Sequence, residues 1–513
     1  MQQTLQIDSI DGGIQPSFHE GSDTQYLGGI AIDPEARFNS SYSQGAMGII
    51  PTMNTKFSGG KISAAPMWIF PSGKDTNVYV NTADGALLAY GVGTETLVGI
   101  ASAGAGDGAC YHNDYVYMAT SADIARYGPL DNSPAFSNYA WTGAALGSQQ
   151  PLSATSFPFA NVITYPKHPM HVHNDGNLYF GDYISASGRP TINKIVTDNN
   201  GTNTASLRRA LDLPYNYVIN DIESFGNDLA ILCSWQSKWT SGAVLKVGRA
   251  ALFVWDTFSS VPYKQIDLSD PIGTAMINHN GILKIFSGQL SNYVRLTGFM
   301  GGNNITPLEY IGEGSPPPPG AIDVFSDQLA WGAYGFYPSN FCGVMTKGFK
   351  NAKLPNDSRN VIIQISDSGT PSLVTALNFG NTGSSKYPIV GWATGTPSYG
   401  LDRTGSGTLN ARWRSKLFNI GQEFTITRIR IPLGAPVDAT TSITPSIYVD
   451  NEYAITSIPV ISNTVYSGKT VIDLKTTIKG SVNFSLDLVW GSTTAMPIAF
   501  PITFTVETLK DKE

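Results

Sequence analysis

Residues 77–90 read Asn77-Val78-Tyr79-Val80-Asn81-Thr82-Ala83-Asp84-Gly85-Ala86-Leu87-Leu88-Ala89-Tyr90. Val78 and Val80 alternate with polar or aromatic neighbours, which is the period of a strand. Asp84-Gly85 then reverses the chain tightly, because Gly accepts positive φ without steric cost. Residues 86–90 read as the returning strand, so the stretch is one hairpin.

That hairpin recurs imperfectly down the chain. Asn113-Asp114-Tyr115-Val116-Tyr117-Met118 leads to Ile124-Ala125-Arg126-Tyr127, and Asp175-Gly176-Asn177-Leu178-Tyr179-Phe180 leads to Ile192-Asn193-Lys194-Ile195. Further units open at Gly226-Asn227-Asp228, Asn280-Gly281 and Ser326-Asp327. The first strands of these units begin near 78, 115, 178, 229, 282 and 329, and residues 386–392 start a seventh. A period of roughly 40–60 residues built from short strands is the signature of blades that cannot bury both faces alone and stack around an axis. The expectation is an all-β chain: a β-propeller of six or seven blades over 56–400, followed by a C-terminal β-sandwich over 401–513. A multi-sheet sandwich and a β-helix are the alternatives, because alternation with Asn/Asp-Gly turns occurs in any large β protein.

Composition agrees with strands and loops. The 513 residues include 53 Gly and 31 Pro, only 14% are charged, and Tyr, Phe and Trp number 24, 23 and 9. No stretch above about ten residues carries a 3.6-residue period. The net charge is −7, and no Lys/Arg run tracks a phosphate backbone, which disfavours specific nucleic-acid binding. Cys110, Cys233 and Cys342 are widely spaced and odd in number; they read as small buried apolar residues, not as disulfides or a zinc site. The opening residues lack a basic and an apolar region of a secretory signal. No apolar run is long enough to span a membrane as a helix. The chain is expected to be made in a cytoplasm.

Residues 1–55 fall outside the repeat. Leu5, Ile7 and Ile10 form a strand pattern that runs into Gly12-Gly13-Ile14-Gln15-Pro16-Ser17, then a polar loop, then Ser41-Tyr42-Ser43-Gln44-Gly45-Ala46-Met47-Gly48-Ile49-Ile50-Pro51. A lone strand is unstable in water, so this one is expected to close the propeller ring or dock on a neighbouring subunit. Residues 315–320, Ser315-Pro316-Pro317-Pro318-Pro319-Gly320, read as an exposed polyproline spacer. Residues 401–410 are polar and Gly-rich and read as a domain boundary. Beyond them Phe424 and Ile426 share one face while Ile429, Ile431 and Leu433 share the other, which predicts a β-bulge near Thr427-Arg428. Pro501 predicts an edge strand, or a strand that starts after it.

The opening, the repeat region in outline and the style of the C-terminal segment together resemble tail-associated structural proteins of tailed bacteriophages, which often begin with a strand, a Gly-Gly-(Ile/Leu)-x-x-Ser motif and a loop before propeller-like repeats. The resemblance implies a non-enzymatic ring subunit of a virion tail, of nozzle or hub type, assembled in the host cytoplasm. Such a subunit would be homo-oligomeric, contact other tail proteins, and carry no cofactor. Leu5, Ile7 and Ile10 are then candidate assembly contacts.

His168, His171 and His173 lie in Lys-His-Pro-Met-His-Val-His; on a strand His171 and His173 point to one face, a spacing that metal ligands use. The plainer reading has the imidazoles bonded to backbone carbonyls. Asp221, Glu223, Asp323 and Asp402 could converge as hydrolase carboxylates, although strand-edge Asp more often caps a turn. Ile365-Ser366-Asp367-Ser368-Gly369-Thr370 superficially resembles a sialidase Asp-box with Ile365 in place of Ser. Trp235, Trp239 and Tyr263 could stack on sugars in a receptor- or glycan-binding adhesin; the plainer reading packs them between blades. A polysaccharide hydrolase on a propeller scaffold is the third class.

Overall fold

The computed structural model describes residues 2–8, 26–30, 32–33, 46–49, 53–58, 61–72, 75–102, 106–120, 123–130, 134–139, 146, 168–184, 189–197, 203–236, 247–289, 293–312, 314–325, 328–336, 341–348, 359–364, 372–380, 388–394, 398–404, 411–450, 453–455, 458–491 and 497–508. The chain forms two compact units. One comprises 55–343 and 367–403; the other gathers 1–54, 344–366 and 404–513.

Among the described residues, seven four-stranded sheets follow one another along the chain, and their arrangement is that of a β-propeller. The first holds Pro66–Pro71, Asn77–Thr82, Ala86–Gly91 and Thr96–Ser102 in that order. The second to fifth repeat the pattern within 109–139, 170–212, 217–267 and 272–312. In the sixth, the strands run from Ile322–Phe325 to Arg359–Gln364. The seventh takes Ser372–Asn378, Ile389–Thr394 and Tyr399–Thr404, and its fourth strand is Met53–Ser58, from before the first sheet. The leading strand of each sheet touches the leading strand of the next, and Ser372–Asn378 touches Pro66–Pro71, so these contacts return to their start.

The hairpin at 77–90 forms as read, with Gly85 at φ 81°. It is, however, the second and third strands of its sheet. The periodic strands of the sequence are the second strands throughout. Each is preceded by a leading strand that the periodicity does not reveal. Small residues on second strands let the next leading strand approach. A Cβ on Gly181 would meet Ile219 at 3.2 Å, one on Gly332 would meet Val374 at 2.8 Å, and one on Gly391 would meet Pro66 at 2.6 Å. Asp75 and Asp175 brace second strands in the same way, each accepting the hydroxyl of the Tyr four residues on, at 2.8 and 2.7 Å.

Four leading strands carry a bulge near their start, with register shifts between Pro66 and Trp68, Ile219 and Asp221, Gly273 and Ala275, and Val374 and Ala376. A bulge adds local twist, which suits strands that gather at a common axis.

The second unit has two main sheets. Gln2–Ile7, Ile502–Thr508, Phe424–Pro432 and Val471–Gly480 form one; the other runs Tyr26–Ile30, Arg412–Ser415, Asn483–Trp490, Ser442–Val449 and Tyr453–Ile455, with two short strands beside it. Phe418, Phe424, Phe484 and Phe504 join them, with ring centroids 5.0–5.5 Å apart. The bulge falls at Thr427, where the register shifts against both neighbours. Ile502–Thr508 starts directly after Pro501 and is an interior strand.

Two expectations are corrected. The strand Gln2–Ile7 pairs within its own chain, Leu5 opposite Phe504 and Ile7 opposite Ile502; Met53–Ser58 is the strand that completes the seventh sheet. Residues 314–319, four prolines included, are buried and not an exposed spacer. A proline has no N–H to leave unsatisfied, so burying it costs less than burying an ordinary loop.

Candidate functional site

Among the described residues, a group of ionisable side chains gathers where the leading strands of the third and fourth sheets end. Met170–Val172 brings His171 and, just beyond it, His173; Tyr217–Phe225 brings Asp221, Glu223 and Ser224. Beyond the bulge at Asn220, alternation puts Asp221 and Glu223 on one side of their strand, with Ile222 and Ser224 on the other.

Proton bookkeeping fixes the hydrogen bonds. His173 Nε2 lies 3.1 Å from the Asn227 carbonyl, which only accepts, so this nitrogen carries the proton. In the neutral ring Nδ1 then accepts, and Ser224 Oγ donates to it at 2.9 Å. A hydroxyl has one proton, so His171 Nε2 donates to Ser224 Oγ at 2.7 Å. The chain runs His171 to Ser224 to His173 to Asn227 and ties two sheets together. Asn174 adds a bond from Nδ2 to the Gly226 carbonyl at 2.6 Å.

Glu223 Oε1 accepts the Ser224 amide at 2.9 Å and stands 3.6 Å from His171 Nε2. Burial, then the neighbouring Asp221 charge, pushes the Glu223 carboxyl up to about 8. Burial pushes Asp221 up to about 7, against the pull of its bonds from the Met276 and Ile222 amides. For His171, burial, then His173, lowers the imidazole to about 4. Glu223 and His171 are therefore held toward their neutral forms near neutrality, although each retains 20% side-chain exposure.

This geometry does not make a nucleophilic relay. The hydroxyl and the carboxylate both approach Nε2 of His171, whereas a relay needs them on opposite ring nitrogens. Nor are the three expected histidines brought together. His168 turns to the Gly181 carbonyl, 3.0 Å from Nδ1, with Asp182 3.6 Å away. Among the described residues no group of three or more His, Cys, Asp or Glu side chains is placed to hold a metal.

The other candidate carboxylates bond to backbone amides or to an indole. Asp221 Oδ2 accepts the Met276 amide of the next sheet at 2.7 Å, and Asp323 Oδ2 accepts the Phe379 amide of its next sheet at 2.8 Å. These are two copies of one clamp between adjacent sheets. Asp402 accepts the Trp392 indole N–H at 2.6 Å.

The aromatic trio is not assembled either. Trp235 is half-buried, its ring so close over Gly248 that a Cβ there would fall 2.5 Å from it. Tyr263 is 52% exposed and donates to Asp228 Oδ2 at 2.6 Å, at the opposite end of the strand that carries Trp235. At about 3.3 Å per residue the two stand roughly 20 Å apart. Trp239, Ile10 and residues 365–370 lie outside the described residues. Ile7 is 3% exposed, and Leu5 is half-buried. Sequence reasoning missed Ser224 and Asn227; the visible signal was a pair of carboxylates, Asp221 and Glu223, inside a strand otherwise rich in apolar residues. No helix among the described residues is long and apolar enough to cross a membrane.

No family model matches the chain, and no curated protein matches it. Solved structures similar to it include BBS1N crystallised in complex with ARL6DN, at 12% identity over 69% of this chain and 97% of that one, with a TM-score of 0.37. The computationally designed Ika8 protein is 12% identical over 68% and 98%, with a TM-score of 0.39. The WD40 domain of Neurospora crassa Pan2 is 11% identical over 69% and 95%, with a TM-score of 0.39.

Proposed function

We propose that this chain is a non-enzymatic structural subunit of a bacteriophage virion tail, of nozzle or hub type, with a seven-bladed propeller and a C-terminal β-sandwich. The observation that carries the non-enzymatic reading is the use of the inner-strand polar groups. Asp221, Asp323, Ser224, His171 and His173 all bond from one sheet to the next, and Glu223 and Ser224 do not form a relay. Such groups stiffen a scaffold. The seven blades rest on the seven successive sheets whose leading strands touch in a closed sequence. The sandwich rests on the four phenylalanines shared by two sheets.

In this reading the subunit forms a homo-oligomeric ring, because heterologous contacts that close give cyclic symmetry, and it meets other tail proteins through exposed sheet edges. Antibody labelling of purified virions that encode the chain is expected to decorate the tail, and native mass spectrometry of the purified protein to give a closed oligomer. A monomer at micromolar concentration together with unlabelled virions overturns the proposal.

One observation favours a tail adhesin as a second reading. The loop after Trp255 is pinned by Asp256, whose Oδ1 accepts the Phe258 and Ser259 amides at 3.0 and 2.7 Å. It presents Phe258 at 89% exposure beside Val261 and Tyr263. A glycan array separates the readings: saturable binding lost in Phe258→Ala and Tyr263→Ala supports the adhesin.

A further inference from the structure

The proline run is placed where a connection between neighbouring sheets has no need to go. It links the fifth sheet to the sixth, which are adjacent. Its short helical turn Pro319–Ala321 nevertheless touches the leading strands of the fifth, seventh and first sheets before running into that of the sixth. The same place holds a buried apolar cluster of Ala65, Met67, Ile272, Leu373 and Ala393. Ile272 belongs to the fifth sheet, whereas Met67, Leu373 and Ala393 belong to the first and seventh, and Ala65 directly precedes the first. The fifth sheet adjoins neither of these, so Ile272 joins them at the inner end of its strand, with Tyr334 of the sixth sheet packed against the group.

The fit is close. A Cβ on Gly320 would lie 2.0 Å from the Met67 carbonyl oxygen and 3.5 Å from that of Thr375, one from each side of the seam where the seventh sheet meets the first. The run is anchored at its other end, where the Ser315 amide donates to the Tyr334 carbonyl at 3.0 Å. Four consecutive prolines hold an extended shape with little entropy left to lose.

We propose that residues 316–320 are a latch: they close the axial space at the end where the leading strands begin, and hold the seam between the seventh and first sheets shut from the inside. Met53–Ser58 fastens the same seam from the outer edge of the seventh sheet. The axial space is then closed at that end by the proline run. This holds whether or not the chain belongs to a virion.

Hydrogen exchange on the full chain tests the latch. Gly320→Ala, and separately Pro317→Ser with Pro318→Ser, are expected to speed amide exchange in Pro66–Pro71 and Ser372–Asn378 by about ten-fold or more, while 178–184 and 228–236 keep their rates; opening is local when few contacts are lost. The paired Ser variant introduces no clash and reads the latch if Gly320→Ala fails to fold. Unchanged exchange at the seam, or equal acceleration everywhere, overturns it. An Ile272→Cys reporter tests the closed end: with the latch intact, maleimide labelling at 272 is expected to be slow, and with the Ser variant about ten-fold faster. Rapid labelling with the latch intact overturns the closed floor.

Discussion

Two groups at opposite ends of the leading strands are built from opposite materials. Where the strands of the first, fifth and seventh sheets begin, Met67, Ile272 and Leu373 lie in one buried apolar cluster beside the turn Pro319–Ala321. Where they finish, His171, Ser224 and His173 pass hydrogen bonds between sheets, and Glu223 sits beside them. An apolar floor gains from burial at every pH and loses in proportion to the volume removed. A polar rim depends on which atoms carry protons. One ring can thus be anchored at one end by shape and adjusted at the other by solution conditions.

Four measurements press on that contrast, in falling order of expected effect. Ile272→Ala leaves a cavity at the floor, and denaturant unfolding is expected to show a loss of about 3 kcal/mol; a loss below about 1 kcal/mol would mean the floor is not close-packed. Ser224→Ala removes the hydroxyl that serves both imidazoles and is expected to cost about 2 kcal/mol, since a buried acceptor and donor lose their partner. Replacement by Thr, which keeps the hydroxyl, should recover part of that loss.

The third measurement varies pH. Glu223 and Asp221 titrate higher in the folded chain than when unfolded, so the folded state holds extra protons. Their contribution is complete below about pH 4 and is lost as pH rises through about 7 and 8. His171, lowered to about 4, acts oppositely: its contribution is present above its unfolded value near 6.5 and is lost as pH falls towards 4. The opposed effects partly offset between roughly pH 4.5 and 6.5, and the acids act alone from 6.5 to 8. Stability is expected to fall over that upper window by at most about 1.4 kcal/mol per pH unit for each extra proton the folded state holds. Glu223→Gln with Asp221→Asn should flatten the slope, while Ile272→Ala should leave it unaltered. Tyr263→Phe, away from both ends, serves as the smallest effect: it loses an exposed bond to Asp228 and is expected to cost under about 1 kcal/mol.

What could be read beforehand follows from the same division. Second strands announced themselves because an Asn, Asp or Gly turn precedes each and alternation follows, as at Asp175-Gly176-Asn177. Leading strands stayed hidden. Met170–Val172 is three residues long, Pro66–Pro71 begins and ends in proline, and the bulges at 67, 220, 274 and 375 break the period that would reveal them. The bulge at Thr427 was legible because a clean alternation on either side of it changed phase. Pairing of His171 with His173 was legible from spacing, whereas their partner Ser224 lies 51 residues beyond His173 in the chain, beyond the reach of any local pattern. The proline run was misjudged because its composition describes stiffness and says nothing about burial.

The strand Gln2–Ile7 has its partner at Ile502–Thr508, and Met53–Ser58 completes a sheet with Tyr399–Thr404. During synthesis, both early strands therefore emerge long before the segments they pair with. At roughly 5–20 residues per second, the first of them waits about 25–100 s on the ribosome. Sheets one to five can form in that interval, but neither compact unit can be completed until its late strand arrives. The molecule must thus be finished from its two ends together, and a chain truncated before residue 502 leaves an early strand exposed and ready to pair with the wrong neighbour.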